Sequence, residues 1–457
     1  MNLLKRNTSI DATEGPLFKN ILLYTIPLII SSIIQTLFSA VDMAVLGNMA
    51  DSSSVASVGA TGSITALIIS SCIGLSGGTK IILSRYIGSR DYSQVRKTIN
   101  TSLITAVVLG SIIAVIGFVF AGDFLRLTKC PDECFEGAVL YTRIYLLAAP
   151  AILLYKYGSA VIVSSGDTQR PLYYIIAGGL LNVIMNVILC LILEQKVAAV
   201  AVATVAAQIL GAILVVRRLF KIDGCCRLSL HDFKGSWQAF AKIIKLGFPL
   251  CLHQSLYPLA NLQIQSAINS YGVAAIAGNS ASGTVEGIKN SLYVGFGQTV
   301  AVFAGQNLGA DKQDRVKRCV KLCLTLAVTI ATVVGVFVFL TGRFWLAIIL
   351  KDDELAIDYG MTRMFFLVLF GFVSAVNQVL AGTIQTYGYT TFSAANSIFG
   401  ILIFRILWMK FIYYPLWESF TSLMACFLVS WVVTMITNIV GYCVIYRRYQ
   451  KGLVKRI

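Results

Sequence analysis

What most constrains this chain is where it carries no charge. Stretches without a single Asp, Glu, Lys or Arg run over 20–41, 52–79, 98–122, 171–193, 197–216, 290–310, 322–342 and 419–446, and two longer ones cover 246–285 and 364–404. A charge at the centre of a membrane helix costs roughly 2.5–3.5 kcal/mol on insertion, and about 20 apolar residues cross the hydrocarbon. Each of the shorter stretches therefore holds one span. The two long ones are broken by turn-like text, YGVAAIAG at 271–278 and TYGYTT at 386–391, so each covers one span and part of the next. An apolar segment over 137–163, interrupted by Arg143 and Lys156, adds another. The reading is twelve helices, at 17–46, 54–84, 97–121, 137–163, 170–193, 197–217, 241–270, 273–304, 314–341, 356–386, 390–414 and 418–446. Composition agrees: 57% of the 457 residues are hydrophobic, 13% are charged and the mean hydropathy is +0.78. Soluble domains carry about 25% charge. The chain is thus a polytopic all-α membrane protein, and a soluble enzyme, a disordered chain and a disulfide scaffold are excluded.

The net charge of +16, from 37 Lys and Arg against 21 Asp and Glu, would suggest nucleic acid binding in a soluble protein. Here the cations report topology, because they concentrate in cytoplasmic loops. With a cytoplasmic N-terminus, 25 Lys and Arg fall in the inside segments. Six, Arg126, Lys129, Lys196, Arg343, Lys351 and Lys410, fall outside. The expectation is a multi-pass protein of the plasma (inner) membrane with both termini in the cytoplasm and no nucleic acid partner. The first 19 residues are polar and no small-residue cleavage pattern follows, so no cleavable signal peptide is expected. Most of the eleven Cys lie in spans, where a thiol packs as a small apolar group. Cys130 and Cys134 share an outer loop and either pair or stay free. Cys225 and Cys226, near His231, match no standard metal-ligand spacing.

The halves repeat each other. SRYIGSRDYSQVRK (84–97) after span 2 matches GQNLGADKQDRVKR (305–318) after span 8, with Gly88 on Gly309 and the cations Arg96 and Lys97 on Lys317 and Arg318. SSGDTQRP (164–171) matches TYGYTTFS (386–393) through Gly166 and Gly388, and Pro27 in span 1 matches Pro249 in span 7. The expected organisation is an N-terminal lobe over 1–220 (spans 1–6), a basic cytoplasmic linker over 221–240, and a C-terminal lobe with a basic tail over 241–457 (spans 7–12). Six spans per half give both halves the same orientation, so a pseudo-two-fold axis along the membrane normal relates them. Transporters use this plan to alternate access to a path between or within the halves. The two prolines serve either as static packing kinks or as points of bending.

Ionisable residues inside spans are functional candidates by default. Asp42 lies 23 residues beyond Lys19 in span 1, roughly 35 Å along a helix, with Gln35 seven residues before it. A desolvated carboxylate there could take up and release a proton; the alternative is an interfacial cap. Asn182 and Asn186 in span 5, and Thr204 and Gln208 in span 6, are one helical turn apart and serve as ligands or as packing glue. Glu286 and Lys289 in span 8 form an i,i+3 pair, either neutralising itself or facing a substrate path. Lys80, Arg143, Lys156, Arg363 and Arg405 read as side chains snorkelling from span ends. No GxxxxGK[ST] phosphate loop is present. Only His231 and His253 occur, so no catalytic or metal-ligating set is expected and the chain is not an enzyme.

Taken together, the proline in span 1 followed by Gln35 and DMAVLG (42–47), SRYIGSRD, the GDTQRP turn before NVIMN (182–186), and GQNLGADKQDRVKR resemble the multidrug and toxic compound extrusion (MATE) transporters, over about residues 15–446. The resemblance implies twelve helices in two six-helix lobes around a central cleft. It also implies a secondary antiporter exporting organic cations, drugs and other amphipathic compounds in exchange for protons or sodium, without a cofactor, acting as a monomer. In prokaryotic members a first-helix aspartate and polar residues of helices 5 and 6 bind the coupling ion. Asp42 matches that aspartate, and Asn182 and Thr204 match two partners. Asn186 stands where many members have a second aspartate, which favours protons over sodium. Gln254 takes the place of a helix-7 acid, leaving Glu286 as the carboxylate in the spans of that half; Gln35, Gln254 and Glu286 are candidates for the substrate path.

Two rival readings stand beside this one. A flippase for lipid-linked substrates, from related families, calls for a cation-rich cavity, to which Lys80, Lys156 and Lys289 would contribute. A membrane transferase would need clustered acids or histidines at one membrane face, which the sequence lacks.

Overall fold

The computed structural model describes residues 9–49, 52–127, 130–222, 224–228, 233–351 and 353–451, without the side chains at 39, 40, 42–44, 46, 48, 49, 52, 53, 55, 262 and 263. The first half comprises α1 (Leu17–Met49), α2 (Ser52–Ala60), α3 (Gly62–Gly88), α4 (Tyr92–Leu127), α5 (Asp132–Leu147), α6 (Ala149–Ser164), α7 (Gln169–Ile192) and α8 (Lys196–Lys221). The second comprises α9 (Trp237–Asn269), α10 (Val273–Gly309), α11 (Gln313–Leu340), α12 (Gly342–Leu350), α13 (Glu354–Leu369), α14 (Gly371–Thr386), α15 (Thr390–Leu416) and α16 (Phe420–Gln450). Among the described residues there is no strand.

Among the described residues eight helices are long and apolar enough to cross a membrane alone, and the bent pairs α5/α6 and α13/α14 make two further spans. Helices α9 and α10, of 33 and 37 residues, complete the twelve despite the charges they carry. The widest miss of the sequence reading is at the end of span 3, placed at 121 and found at Leu127. Asp123 and Arg126 end the apolar run there, but a helix continues past its hydrophobic stretch as long as its backbone bonds are made.

The duplication is written into the backbone. At the end of α3 the amide of Asp91 donates to the Tyr86 carbonyl at 3.0 Å; at the end of α10 the amide of Lys312 donates to the Asn307 carbonyl at 2.9 Å. The left-handed residue is Arg90 (φ 59°) in one turn and Asp311 (φ 57°) in the other. The turns after α6 and α14 match as closely, with Gly166 at φ 95° and Gly388 at φ 90°, a region that favours glycine. The bends correspond too: α5/α6 turn by 47° at Ala148 and α13/α14 by 41° at Phe370.

Equal bends are built by different means. In the first half Pro150, at the start of α6, cannot donate to the preceding turn. In the second, Phe365–Leu369 is wound as a π-helix, and the Lys289 ammonium donates to the carbonyls of Leu367 at 2.9 Å and Val368 at 3.2 Å. A Cβ on Gly371 would stand 2.0 Å from that ammonium, so the missing side chain makes room for it.

Packing sorts the chain into two compact units, Met1–Ala12 with Ile30–Cys251 and Thr13–Ile29 with Leu252–Ile457. The start of α9 thus packs in the first unit and the start of α1 in the second. Helix α3 meets α9 through glycines: a Cβ on Gly74 would lie 2.4 Å from the Cys251 Cα, and one on Gly78 would lie 2.6 Å from the Ile243 carbonyl oxygen. Small residues of this kind let membrane helices approach closely. In the second unit the equivalent contact joins α1 to α10, where Gly295 faces Ile29 and the hydroxyls of Thr25 and Thr299 bond at 2.7 Å. Both changes of unit fall two residues after a repeated proline, Pro27 or Pro249.

Candidate functional site

A cavity of about 540 Å³ opens within the first unit, lined by residues of α1, α2, α3, α5, α6, α7 and α8. Its polar wall comes from α7 and α8. The four-residue spacing of Asn182 and Asn186 puts both on one face of α7, where Asn186 Nδ2 donates to Asn182 Oδ1 at 3.3 Å. Asn182 Nδ2 in turn donates to Thr204 Oγ1 at 3.3 Å, and that hydroxyl donates to the Val200 carbonyl of its own helix at 3.0 Å. The amides are buried, Asn186 completely. Four predicted site residues therefore stand together: Gln35, Asn182 and Thr204 line the cavity, and Asn186 braces Asn182.

Asp42 lies on α1, seven residues beyond Gln35 and four beyond the cavity residue Phe38; its side chain is outside the described residues. Gly179 makes room for Phe38, since a Cβ there would fall 1.9 Å from the ring.

The remaining walls were not legible in the sequence. Tyr141 and Tyr145 stack with centroids 6.1 Å apart and rings 8° from parallel, and Tyr155 and Tyr174 join them. Lys156 lines the cavity as well, so it is not a side chain snorkelling to an interface. The arrangement suits a drug-sized amphipathic guest: 300–1,000 Å³ is the usual size for such sites, mostly apolar with a few polar groups fixing orientation.

The second unit spends its charges on itself. Glu286 pairs with Arg363 across 2.7 Å rather than with Lys289, which is bound to the α13 bend. Arg363 also donates to Asn279, and Asn290 donates to the free oxygen of Glu286 at 3.3 Å. Arg405, expected near a membrane face, is buried. It stacks over Phe427 with its guanidinium carbon 4.3 Å from the ring centroid and donates to Asn261 at 2.8 Å and Ser430 at 3.3 Å. Gln254 is half-buried on α9, outside the cavity of the first unit. Spacing along one helix suggested the Glu286–Lys289 pair; the real partners lie 77 and 78 residues away.

Outside the spans, Cys130 and Cys134 are free thiols, as are Cys225 and Cys226, whose sulfurs lie 3.8 Å apart. The Cys226 thiol, bonded to its neighbour, pulls the Cys225 thiol down to about 7. His231 is outside the described residues. Among the described residues no three His, Cys, Asp or Glu gather into a group able to hold a metal ion.

Comparison with known proteins places these features. The MatE family profile matches residues 27–188 and 249–408, well over half of the chain and once in each half, beginning each time at a repeated proline. The probable multidrug resistance protein YoeA of Bacillus subtilis is 25% identical over 400 residues, covering 85% of each chain. A MOP superfamily transporter from Pyrococcus furiosus, described as having a binding pocket of reverse polarity, superposes with a TM-score of 0.87 at 22% identity, over 99% of this chain and 100% of that one. An outward-facing multidrug resistance MATE family transporter superposes with a TM-score of 0.88 at 21% identity, over 98% and 99%. The likeness in fold extends over twelve helices in two lobes of six.

Proposed function

We propose, from the premise that this chain belongs to the MATE family, that it is a secondary antiporter exporting amphipathic small molecules, organic cations among them, in exchange for protons, with sodium as the alternative coupling ion. The observation that carries the reading is the cavity of the first unit, where Asn182 and Thr204 form a hydrogen-bonded wall beside the helix that bears Asp42. Asp42, Asn182, Asn186 and Thr204 are assigned to the coupling ion. The amide and hydroxyl oxygens are neutral ligands, so Asp42 is the one carboxylate of the set. One carboxylate suffices to take and release a proton, whereas a sodium site gains affinity from each further negative ligand. That asymmetry favours protons.

Gln35 lines the same cavity and belongs to the substrate path. The Glu286–Arg363 pair and its neighbouring amides support a structural role for Glu286 in the second unit, and Gln254 is retained as a path candidate from its place on α9 alone. The repeat halves 1–220 and 241–457, with 221–240 as linker, are read as the moving parts, and the unit changes beside Pro27 and Pro249 support bending there. The 25 cations on one side against six on the other support cytoplasmic termini in the plasma membrane. We read the protein as a monomeric transporter with no enzymatic activity and no cofactor.

A flippase would call for a cavity rich in cations; Lys156 is the one cation among the described lining residues, and Lys289 is held by backbone carbonyls. The test is export of rhodamine dyes from proteoliposomes under imposed proton or sodium gradients. No gradient-driven export under either would refute the reading.

A further inference from the structure

We infer that the cavity of the first unit selects guests that carry an anionic group on an aromatic body, and that Lys156 is the residue that receives the anion. The inference rests on the exporter reading and narrows its amphipathic substrates to anionic ones, in preference to the organic cations.

Lys156 sits in the middle of α6, seven residues after its start at Ala149 and eight before its end at Ser164. Eight residues are about 12 Å of helix, longer than a lysine side chain, so the ammonium cannot reach a membrane face. It opens instead onto the cavity. Among the described residues it makes no hydrogen bond and no ion pair; its close neighbour is the Tyr155 ring, with Nζ 5.7 Å from the centroid.

Three other buried cations of the spans are treated differently. Lys289 is bound to two carbonyls, Arg363 to a carboxylate and an amide, and Arg405 to an amide and a hydroxyl. The ammonium of Lys80 in α3 also makes no hydrogen bond or ion pair among the described residues, but Lys80 does not line the cavity, whereas Lys156 does. Charges inside a membrane are expensive and mark function unless they are paired. No carboxylate occurs among the described lining residues, and Asp42, which the exporter reading gives to the coupling ion, is neutral while it holds its proton.

The rest of the wall fixes the body of the guest. The stacked Tyr141 and Tyr145 offer a flat face, Phe38 and Tyr174 further aromatic surface, and the tyrosine hydroxyls can donate beside the ammonium to an acid group. A carboxylate or sulfonate on a fused ring system matches this placement of charge and surface.

The experiment uses the full chain in nanodiscs at neutral pH and two probes with the same xanthene frame, anionic fluorescein and cationic rhodamine 123, read by fluorescence anisotropy. Wild type is expected to bind fluorescein. Lys156→Gln should weaken that binding about tenfold or more, the loss of one charge-assisted contact, and should leave rhodamine 123 within about threefold or tighten it. Lys156→Arg, which keeps the charge, should retain most of the fluorescein affinity. The inference is overturned by equal fluorescein affinity in wild type and Lys156→Gln, by no fluorescein binding to wild type, or by parallel loss of both dyes in Lys156→Gln and Lys156→Arg. Binding is measured without a gradient, so its failure is separable from that of the exporter reading. Gradient-driven export with no charge discrimination sinks only the role of Lys156, and charge discrimination with no export sinks only the exporter.

Discussion

Replacing Gly371 by alanine tests how the bend between α13 and α14 is held. The added Cβ would lie 2.0 Å from the Lys289 ammonium, which donates to the carbonyls of Leu367 and Val368 at 2.9 and 3.2 Å. The ammonium must move, and the surrounding site is buried. A hydrogen bond to a charged group contributes about 1.5–3 kcal/mol. If the side chain swings far enough to keep one of its two bonds, Gly371→Ala costs about 2–3 kcal/mol. Purified protein heated and then assayed for monodispersity should melt several degrees lower. Lys289→Met should also destabilise, by removing both bonds. The two changes should not add, because the alanine clashes with an ammonium that the double variant lacks; a coupling of about 1–2 kcal/mol is expected for residues in direct contact. Additive losses, or a melting temperature for Gly371→Ala unchanged from wild type, would refute the idea that Lys289 braces the bend.

Other outcomes follow from the same geometry. Glu286→Gln should destabilise by about 3 kcal/mol by stranding Arg363, and Arg363→Met in that background should recover much of the loss; an unchanged melting temperature for the single variant contradicts the pairing. Gly166→Ala forces a side chain into a φ of 95° and brings its Cβ within 2.2 Å of the Ile10 carbonyl oxygen. Limited proteolysis between residues 9 and 16 should speed up, and protection equal to wild type would argue against this contact. Labelling of Cys225 by bromobimane should rise as pH passes through about 7, and Cys226→Ala should move that rise to higher pH by removing the hydrogen bond that favours the thiolate. The same midpoint in both proteins would mean the neighbouring thiol is not the cause.

The helices were legible because charge is costly in hydrocarbon: the gaps between charged residues mark the spans whatever the tertiary contacts. The repeat was legible because turns need particular backbones, and Gly166 and Gly388 keep theirs across the two halves. The paired bends were hidden, since Pro150 serves one and a π-turn with Lys289 the other, and neither device resembles its counterpart in sequence. Asn182, Asn186 and Thr204 could be found because helical spacing places Asn182 and Asn186 on one face and leaves Thr204 one helix away. Tyr141, Tyr145 and Tyr155 look like ordinary apolar filling until packing decides which way each points. Arg405 is hidden in the sequence for a related reason, since its partners Asn261, Ser430 and Phe427 come from other helices, and Lys156 reads as a span-end cation until packing opens a cavity beside it. The exchange of helix starts between the units, with residues 13–29 in one and 237–251 in the other, is marked in the sequence by Pro27 and Pro249, which show where each helix changes unit but not which unit its start joins.

The most direct test of the central claim is export from proteoliposomes loaded with rhodamine 123 or sulforhodamine B, comparing wild type with Asp42→Asn under an imposed proton gradient and a sodium gradient in parallel. The account predicts that wild type expels at least one dye faster under the proton gradient than without it, and that Asp42→Asn reduces expulsion to the passive leak. Gradient-driven export by Asp42→Asn at the wild-type rate would contradict the assignment of the coupling ion to the first unit.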